Sequence, residues 1–274
     1  MKIFLTTSHN QVKQVSELFF EIQKNYVDFS KFVIVESGNG NHQKIVQNEK
    51  VELIKTESNS FWAKSNSIGL EHIYLNHKED IFDLIIVNCD VRLNKWISLN
   101  EENRLLTFYT NNNGIIKRSG YSISNWLLAK HDYPYLELPF AEVSNTQVDV
   151  VPTRFIYIPY NILSLIWGIL PNYIKLPHYS SDLEFTYRIR KLSGKKWHIV
   201  KNTYIEEDYT TTGTKRVSGN IIERIRLMYQ RKSIYNIKDR FWYSYLITDK
   251  KSLVEKAGYI SSSILKLMIQ VFRP

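Results

Sequence analysis

Two polar residues directly follow an apolar, strand-like stretch of the chain and could bind a metal ion. The run from Leu84 to Val87 is rich in β-branched side chains and does not alternate, which predicts a strand buried on both faces of a sheet. It ends in Asn88-Cys89-Asp90, and open α/β sheets bind ligands at the carboxyl ends of their strands. A carboxylate there can hold Mg²⁺ or Mn²⁺ against a diphosphate, because hard cations prefer oxygen ligands. Alternatively, Asn88 and Asp90 only begin a turn, and the tripeptide alone favours neither interpretation.

A second group of charged residues lies in the segment SSDLEFTYRIRKLSG, which predicts a helix. Ser180 or Ser181 can cap the start of this helix with its side chain. Gly194 can end it by adopting the left-handed conformation that helices often need at their C-terminus. Asp182 and Glu184 fall in the first turn, where the helix macrodipole favours acids, so position alone does not separate a functional carboxylate from a structural one.

The elements that must position these residues alternate between strands and helices over the first hundred residues. We predict strands at Ile3 to Thr6, in KFVIVE, in VELIK and in DLIIV, with helices in QVKQVSELFFEIQKN and from about Ala63. The second strand ends in Glu36 and a Gly/Asn-rich turn, where the backbone can approach a ligand closely. This alternation predicts an α/β fold with a parallel, doubly wound sheet.

The second half of the chain has a weaker pattern. From Asn100 to Val148 turn residues and scattered aromatics predict an elaborated loop region over a site, rather than another repeat of the sheet. A strand in QVDVVPTRFIYIP, a helix in YNILSLIWGIL, the charged helix and a closing strand KKWHIV follow. Trp62, Trp126 and Trp167 could stack on a sugar or a base, but core packing is the preferred interpretation.

The composition limits the class of protein. Hydrophobic residues make up 43% and charged residues 23% of the 274 residues, which is typical of a soluble globular chain. The single cysteine, Cys89, excludes an internal disulfide and a four-thiolate metal site, and fits a reducing compartment. The start lacks the apolar run of a secretory signal, and the longest apolar tract, FIYIPYNILSLIWGIL, is interrupted and shorter than a membrane span. We therefore expect a cytoplasmic protein.

Together these segments resemble a family 2 glycosyltransferase of the GT-A fold, a family of inverting nucleotide-sugar enzymes that build bacterial surface polysaccharides. FVIVESGNGN is similar to the family's second-strand motif, with Glu36 where the family has an Asp that contacts the nucleotide. SNSFWAKSNSIGL resembles the segment that touches the donor, and IIVNCDV resembles the LLNxDV form of the DXD motif. The resemblance implies that Asp90 carries the metal and diphosphate, with Asn88 a weaker contributor. The donor-binding residues that it implies are Thr6, Glu36, Lys64, Asn66, Asn88, Asp90 and Arg188.

The charged helix carries the second part of the resemblance. SSDLEFTYRIRKLSGKKW resembles the family's signature EDxxLxxRxxxxxG, in register at Asp182, Arg188 and Gly194, and Asp182 lies 182 − 90 = 92 residues after Asp90. By resemblance Asp182 is the catalytic base. Such a role is chemically sensible, since an inverting transfer needs one carboxylate to take the proton of the attacking hydroxyl.

The chain departs from the family pattern at two places. Ser181 stands where the family usually has a glutamate, so one of the paired acids is missing. The family often has a metal-site histidine after the closing strand, where this chain has YIEEDYTTTG. Glu207 or Asp208 could replace it as a hard oxygen ligand, whereas His198 falls inside the strand and is expected to be structural.

The resemblance implies a complete functional hypothesis. Residues 1–214 would form the GT-A catalytic domain, with a nucleotide-sugar half at 1–99 and an acceptor half at 100–214. With Mg²⁺ or Mn²⁺ as cofactor, the enzyme would move a sugar, from a UDP-sugar as the expected donor, to a glycan or lipid-linked acceptor in capsule- or lipopolysaccharide-type synthesis. The alternatives are a catalytically silent GT-A module that binds a partner transferase and, third, a nucleic-acid-binding protein, for which no recognised motif is present.

Residues 215–274 predict a basic, aromatic, helical tail. This segment contains 13 Lys and Arg and 4 Asp and Glu, giving 13 − 4 = +9, so the preceding 214 residues are neutral as a group. Apolar residues between Ile221 and Met228 and an aromatic cluster at Phe241, Trp242, Tyr243 and Tyr245 accompany the charge. Such mixtures suit an anionic membrane surface, so we expect a peripheral protein on the inner face of the cell membrane. The alternative is that these helices only pack on the catalytic domain.

Overall fold

A mixed sheet of ten strands forms the centre of the molecule in the computed structural model, which describes residues 1–97, 99, 103–206, 220–231 and 233–272. The strands are β1 (Lys2–Ser8), β2 (Phe29–Glu36), β3 (Val51–Lys55), β4 (Asp83–Val87), β5 (Arg92–Leu93), β6 (Leu106–Asn112), β7 (Ile115–Ile116), β8 (Ser122–Asn125), β9 (Lys130–Asp132), β10 (Thr146–Val148), β11 (Phe155–Ile158) and β12 (Trp197–Glu206). The helices are α1 (Val12–Asn25), α2 (Gln43–Val46), α3 (Trp62–Asn76), α4 (Tyr160–Leu163), α5 (Ser181–Ser193), α6 (Ile221–Tyr229), α7 (Ile237–Ile247) and α8 (Leu253–Phe272), with 3-10 turns at Phe140–Glu142 and Ser164–Ile166.

The sheet order is β10-β12-β6-β11-β4-β1-β2-β3, with β5 paired to β12 and β7 to β6, while β8 and β9 form a separate hairpin. Strands β1, β2, β3 and β4 are parallel, which confirms the doubly wound sheet predicted for the first hundred residues. Strand β11 runs antiparallel between β4 and β6, and β12 is parallel to β6. Strands β1, β2, β4 and β6 therefore all end at one edge of the sheet.

Helices cover both faces because the side chains of each strand alternate between two hydrophobic clusters. Leu84 and Ile86 of β4 join the cluster that contains the inner faces of α3 and α5, whereas Ile85 and Val87 join the cluster formed with α1. All four are at most 1% exposed. The unalternating apolar run thus reflects burial on both faces, as predicted.

The region from Asn100 to Val148 differs from the prediction. Strand β6 lies inside it and is a central strand between β11 and β12, so this region does extend the sheet. The sequence of β6 does not show the hydrophobic pattern of a central strand, because Thr107, Thr110 and Asn111 are polar yet buried. A buried strand with several polar residues lacks the apolar run on which the prediction depended.

The C-terminal segment is helical where it is described, and two of its helices pack on the rest of the molecule. Tyr243, Ile247 and Tyr259 of α7 and α8 share one hydrophobic cluster with Tyr121 and Tyr187. The predicted boundary at residue 214 lies outside the described residues. No helix in the described residues is both long and apolar enough to cross a membrane.

The three tryptophans proposed as alternative stacking groups are partly buried. Trp62 and Trp167 pack against the cluster that includes α3 and α5, and Trp126 packs against the cluster that includes Tyr187 and Tyr259. These contacts confirm the packing interpretation.

Candidate active site

The candidate site lies at the carboxyl edge of the parallel strands, where the sheet brings together residues far apart in the sequence. Thr6 lies near the end of β1, Glu36 is the last residue of β2 and Asn88 directly follows β4. Asn111 lies next to the end of β6. This is the edge at which open α/β sheets bind nucleotides.

Glu36 is fully buried and organises the loop after β2. Ser8 Oγ donates to its Oε2 at 2.6 Å, and His42 Nε2 lies 2.8 Å from the same oxygen. The backbone N–H groups of Asn10 and Gly38 donate to Oε1 at 3.0 and 2.6 Å. Burial alone would raise the pKa of Glu36, but these hydrogen bonds lower it to about 2. The carboxylate is therefore ionised and positions the segments on both sides of it.

The close approach of this loop explains two of its glycines. A Cβ on Gly40 would lie 2.6 Å from Glu36 Oε2, and a Cβ on Gly38 would lie 2.4 Å from Asn10 Oδ1. Both distances are too short for any side chain. The Gly/Asn-rich turn predicted from the sequence thus packs against Glu36 itself, and direct nucleotide contact by Glu36 stays a prediction.

The Asn88-Cys89-Asp90 step forms a turn with its last residue exposed. Val91 N–H donates to the Asn88 carbonyl at 3.1 Å, and Asp90 is exposed to solvent. Cys89 is buried and its Sγ donates to Gln11 Oε1 at 3.2 Å. Burial raises the pKa of this thiol, as expected for a structural cysteine. The turn geometry and a ligand role for Asp90 are compatible, because the turn leaves the carboxylate accessible.

Asp182 lies in the first turn of α5 and is partly buried. Burial raises its pKa, and this rise is opposed by hydrogen bonds from the Leu183 and Thr153 N–H groups and by the charge of Arg154. A partly buried carboxylate with a raised pKa is suited to accept a proton.

Arg154 connects the two parts of the site, and the sequence analysis did not single it out. Its Nη1 donates to Thr110 Oγ1 at 2.7 Å, and its carbonyl accepts a hydrogen bond from the Asn88 N–H at 3.0 Å. Its charge acts on Asp182. The position of Arg154 in the sequence could have identified it, because an arginine directly before the buried strand FIYI needs polar partners.

Arg188 is occupied within its own helix. Its Nε and Nη2 donate to the two carboxylate oxygens of Glu184 at 2.8 and 2.9 Å, and Nη2 also donates to the Leu170 carbonyl at 2.8 Å. Glu184 is buried, so the bidentate pair neutralises a charge inside the protein. Donor binding by Arg188 stays a prediction, and Glu184 is poorly placed to act as an alternative base because both of its oxygens accept from Arg188.

The start of α5 differs from the predicted cap. Neither Ser180 nor Ser181 caps the helix with its side chain, because Ser180 adopts a left-handed conformation (φ 63°) and Ser181 Oγ instead donates to the His178 carbonyl at 3.0 Å. A side-chain cap normally requires an extended residue at this position. Gly194 ends the helix in the left-handed conformation (φ 68°), which confirms its predicted role. A left-handed serine two residues before Asp182 is backbone strain of the kind that occurs at functional sites.

Two predicted donor-binding residues have buried polar oxygens that make no hydrogen bond within the described part of the chain. They are Thr6 Oγ1 and Asn66 Oδ1, while Asn66 Nδ2 donates to the Trp62 carbonyl at 3.0 Å. Such groups are costly unless a ligand or water satisfies them. Lys64, in contrast, forms an exposed ion pair with Glu57 at 2.7 Å.

A divalent metal would have Asp90 as its protein ligand. Over residues 1–97, 99, 103–206, 220–231 and 233–272, no group of three His, Cys, Asp or Glu side chains is arranged to hold a metal ion. One carboxylate together with phosphate oxygens is nevertheless a common way to bind Mg²⁺, so the residues fit a metal carried by the donor. Asp208, named as a second ligand, lies outside the described residues. His198 lies in β12, 3.4 Å from Arg104 Nη1.

Comparisons with solved structures define the fold class. No protein-family model matches the sequence, and no curated protein matches it significantly. GalNAc-T7, solved with UDP, GalNAc and Mn²⁺, matches 98% of this chain with a TM-score of 0.56 at 13% identity. S. aureus TarS 1-349 in complex with UDP matches 98% of this chain with a TM-score of 0.52 at 12% identity. These are GT-A glycosyltransferases, and this chain has their fold.

The matches differ in how much of the known protein they include. This chain spans 56% of the GalNAc-T7 chain and 91% of the TarS 1-349 chain. At these sequence identities the similarity establishes the fold alone.

Proposed function

We propose that the protein is a glycosyltransferase that moves a sugar from a nucleotide-diphosphate donor, with a UDP-sugar as the first candidate, to a hydroxyl group. The observation that carries this proposal is the connection of Asp182, through Arg154, to the Asn88–Asp90 step at the carboxyl end of β4. A proton acceptor and an accessible carboxylate are thereby joined at one edge of a GT-A sheet. Both neighbours described above were solved with UDP, which supports the choice of donor.

The donor would bind along the ends of β1, β2 and β4. Thr6 Oγ1 and Asn66 Oδ1 are available to hydrogen-bond the nucleotide, and Glu36 holds the neighbouring loop in place. Asp90 would hold Mg²⁺ or Mn²⁺ together with the diphosphate oxygens. When bound, the metal neutralises charge that develops on the leaving diphosphate.

The transfer would proceed in one displacement with inversion. Asp182 accepts the proton of the acceptor hydroxyl while that oxygen bonds to the anomeric carbon and the bond from this carbon to the diphosphate oxygen breaks. Burial raises the pKa of Asp182, and the positive charge of Arg154 opposes this rise by favouring the ionised carboxylate. Of the two acids in the first turn of α5, Glu184 is paired with Arg188. Asp182 is therefore the one that can accept the proton.

A glycan or lipid-linked acceptor in bacterial surface-polysaccharide synthesis completes the proposal. A silent GT-A module that binds a partner transferase is the second candidate, because Ser181 replaces the second acid and its hydroxyl already donates to the His178 carbonyl. Donor hydrolysis in the absence of acceptor separates the two, since a silent module neither binds nor turns over a nucleotide sugar.

The test combines binding and turnover. Thermal-shift measurements with nucleotides and nucleotide sugars, with and without Mn²⁺, identify the donor, because a ligand that binds only the folded state raises its stability. Donor hydrolysis or transfer is then followed by NMR, which also reads the anomeric configuration of the released or transferred sugar. Asp182→Asn should retain donor affinity and lose turnover by about 10²–10⁴-fold.

The contradicting outcomes are specific. Absence of any nucleotide-dependent stabilisation of the wild-type protein would refute a donor-binding function. Retained configuration in the first product would refute single displacement. Joint loss of donor binding and activity in Asp182→Asn would assign Asp182 a structural role at the start of α5.

A further inference from the structure

Helix α8 has two apolar faces, one packed on the protein and the other exposed over much of its length. Tyr259, Leu267 and Val271 are buried on the inner face. The outer face carries exposed aliphatic and aromatic side chains that cluster within an arc of about 100° around the helix, given 100° per residue. These residues, 38% to 71% exposed, are Val254, Leu265, Met268, Ile269 and Phe272.

Two neighbouring segments add exposed aliphatic side chains beside α8. Met228 of α6 is buried against Leu267 and Val271, so α6 packs directly on α8. The part of α6 before Met228 exposes three isoleucines, Ile221, Ile222 and Ile225.

The turn between β8 and β9 packs on the outer face of α8 at Gly258, where a Cβ would lie 3.0 Å from Leu127 Cδ2. Lys266 Nζ donates to the Leu128 carbonyl and Ser262 Oγ to the Leu127 carbonyl, both at 2.8 Å. Leu127 and Leu128 themselves are exposed. We call the outer face of α8, the three isoleucines of α6 and these two leucines the apolar platform.

The charges around the apolar platform are predominantly positive. From Val254 to Phe272 the sequence contains two lysines and one acid, Glu255, which accepts a hydrogen bond from Ser252 Oγ and pairs with Lys251 at 3.9 Å. Arg224 and Arg226 alternate with the isoleucines of α6, where Glu223 is engaged in a capping box with Asn220. Two copies of the chain meeting through this platform would bring like charges together, whereas anionic phospholipid headgroups would neutralise them.

We propose that the apolar platform is a membrane-binding surface that takes an anionic phospholipid bilayer, with α8 lying in the plane of the interface. The outer residues of α8 then enter the boundary between headgroups and acyl chains, and the exposed Arg226 of α6 contacts the headgroups. The exposed side chains from Leu265 to Phe272 extend about 10 Å along the helix at 1.5 Å per residue, and Leu127 and Leu128 continue the apolar surface beside Gly258.

The expectation from the sequence covered the whole tail, including the final segment ISSSILKLMIQVFRP, and in the structure the aromatic cluster is the less available part of it. Tyr243 is buried, and the ring of Trp242 is covered by Lys175, whose Nζ lies 4.7 Å from the ring centroid. The surface is also independent of the proposed reaction, because none of its residues belongs to the candidate active site.

Vesicle co-sedimentation of the full chain tests the proposal without donor or acceptor. The vesicles are phosphatidylcholine alone or phosphatidylcholine mixed with phosphatidylglycerol, each at low and high salt. We expect the wild-type protein to pellet with the anionic vesicles at low salt, less at high salt, and weakly with neutral vesicles. The double variant Leu265→Gln/Ile269→Gln should bind at least about tenfold more weakly, because two apolar side chains no longer enter the bilayer.

Two further variants complete the experiment. Leu75→Gln removes a leucine of α3 that is more exposed than Leu265, and this variant should pellet like the wild-type protein. Arg226→Gln should weaken binding to anionic vesicles and leave binding to neutral ones unchanged. Equal pelleting of wild type with both lipids, or unchanged binding of the double variant, would overturn the proposal. Concentration-dependent dimerisation in light scattering that the double variant abolishes, without vesicle binding, would replace it with self-association. Each result stands whether or not the protein transfers a sugar.

Discussion

The Asn88 N–H donates a hydrogen bond to the Arg154 carbonyl at 3.0 Å, which fixes the end of β4 to the residue before β11. Through the side chain of the same arginine, the contact continues to Thr110 at the end of β6. Three strand ends that are distant in sequence are thereby held in one arrangement, and the backbone around Asp90 is positioned by Arg154 as well as by its own turn.

Substitution of Asp90 tests the metal and diphosphate assignment. Asp90→Ala should abolish turnover and metal-dependent nucleotide binding while the protein stays folded, because the exposed carboxylate contributes little to the core. Asn88→Ala should do less, since a neutral amide is a poorer ligand for a hard cation. The measurement is thermal shift with UDP with and without Mn²⁺, together with donor hydrolysis. Turnover of Asp90→Ala at the wild-type rate would remove Asp90 from the site.

The charge of Arg154 should set the acid limb of the pH–rate profile. The charge of Arg154 opposes the burial that raises the pKa of Asp182, so Arg154→Gln should raise that pKa further and shift the acid limb of kcat/KM to higher pH. Arg154→Lys, which keeps the charge, should restore much of the wild-type profile. Thr110→Val is the matched control, because it removes the hydrogen bond to Nη1 but leaves the charge. Superimposable profiles for wild type and Arg154→Gln would refute the electrostatic role.

The buried Glu36 should make the stability of the protein depend on acid pH. Its pKa is lowered from 4.5 to about 2 in the folded protein, so its stabilising contribution is complete above pH about 4.5 and is lost as pH falls towards 2. The shift corresponds to about 3 kcal/mol in the free energy of unfolding. We expect Glu36→Gln to be less stable than wild type at pH 7. Between pH 5 and 3 the variant should lose less of its free energy of unfolding than wild type does, because it has no carboxylate to protonate at this position. Urea unfolding at each pH measures both, and parallel stability curves for the two proteins would contradict the prediction.

Arg188 distinguishes a structural ion pair from a donor-binding group. Arg188→Ala leaves the buried Glu184 carboxylate unpaired and should lower the free energy of unfolding by about 3 kcal/mol. Arg188→Ala/Glu184→Gln removes both charges and should recover part of that stability. The comparison uses urea unfolding for stability and thermal shift with UDP for donor affinity. Loss of donor affinity in the double variant at recovered stability would instead support the predicted contact between Arg188 and the donor.

Several features of this protein follow from local sequence signals. The unalternating run before Asn88 and the helical period from Val12 to Ile22 predicted a doubly wound sheet, because burial on two faces or on one stripe leaves a pattern in neighbouring residues. The strand ends then follow, since parallel strands end at one edge and bring Thr6, Glu36 and Asn88 together there. The left-handed Gly194 was predicted for the same kind of local reason.

The tertiary structure alone decided the relations that depend on packing between distant segments. Sequence order does not show that Arg154 contacts Thr110, or that β6, with its polar buried residues, enters the centre of the sheet. Nor does it show which side of an amphipathic segment meets the protein: α7 buries Tyr243, while the outer face of α8 around Leu265 stays exposed. Such choices are made by the shape and charge of surfaces that form only after the chain has folded, so local residue patterns do not contain them.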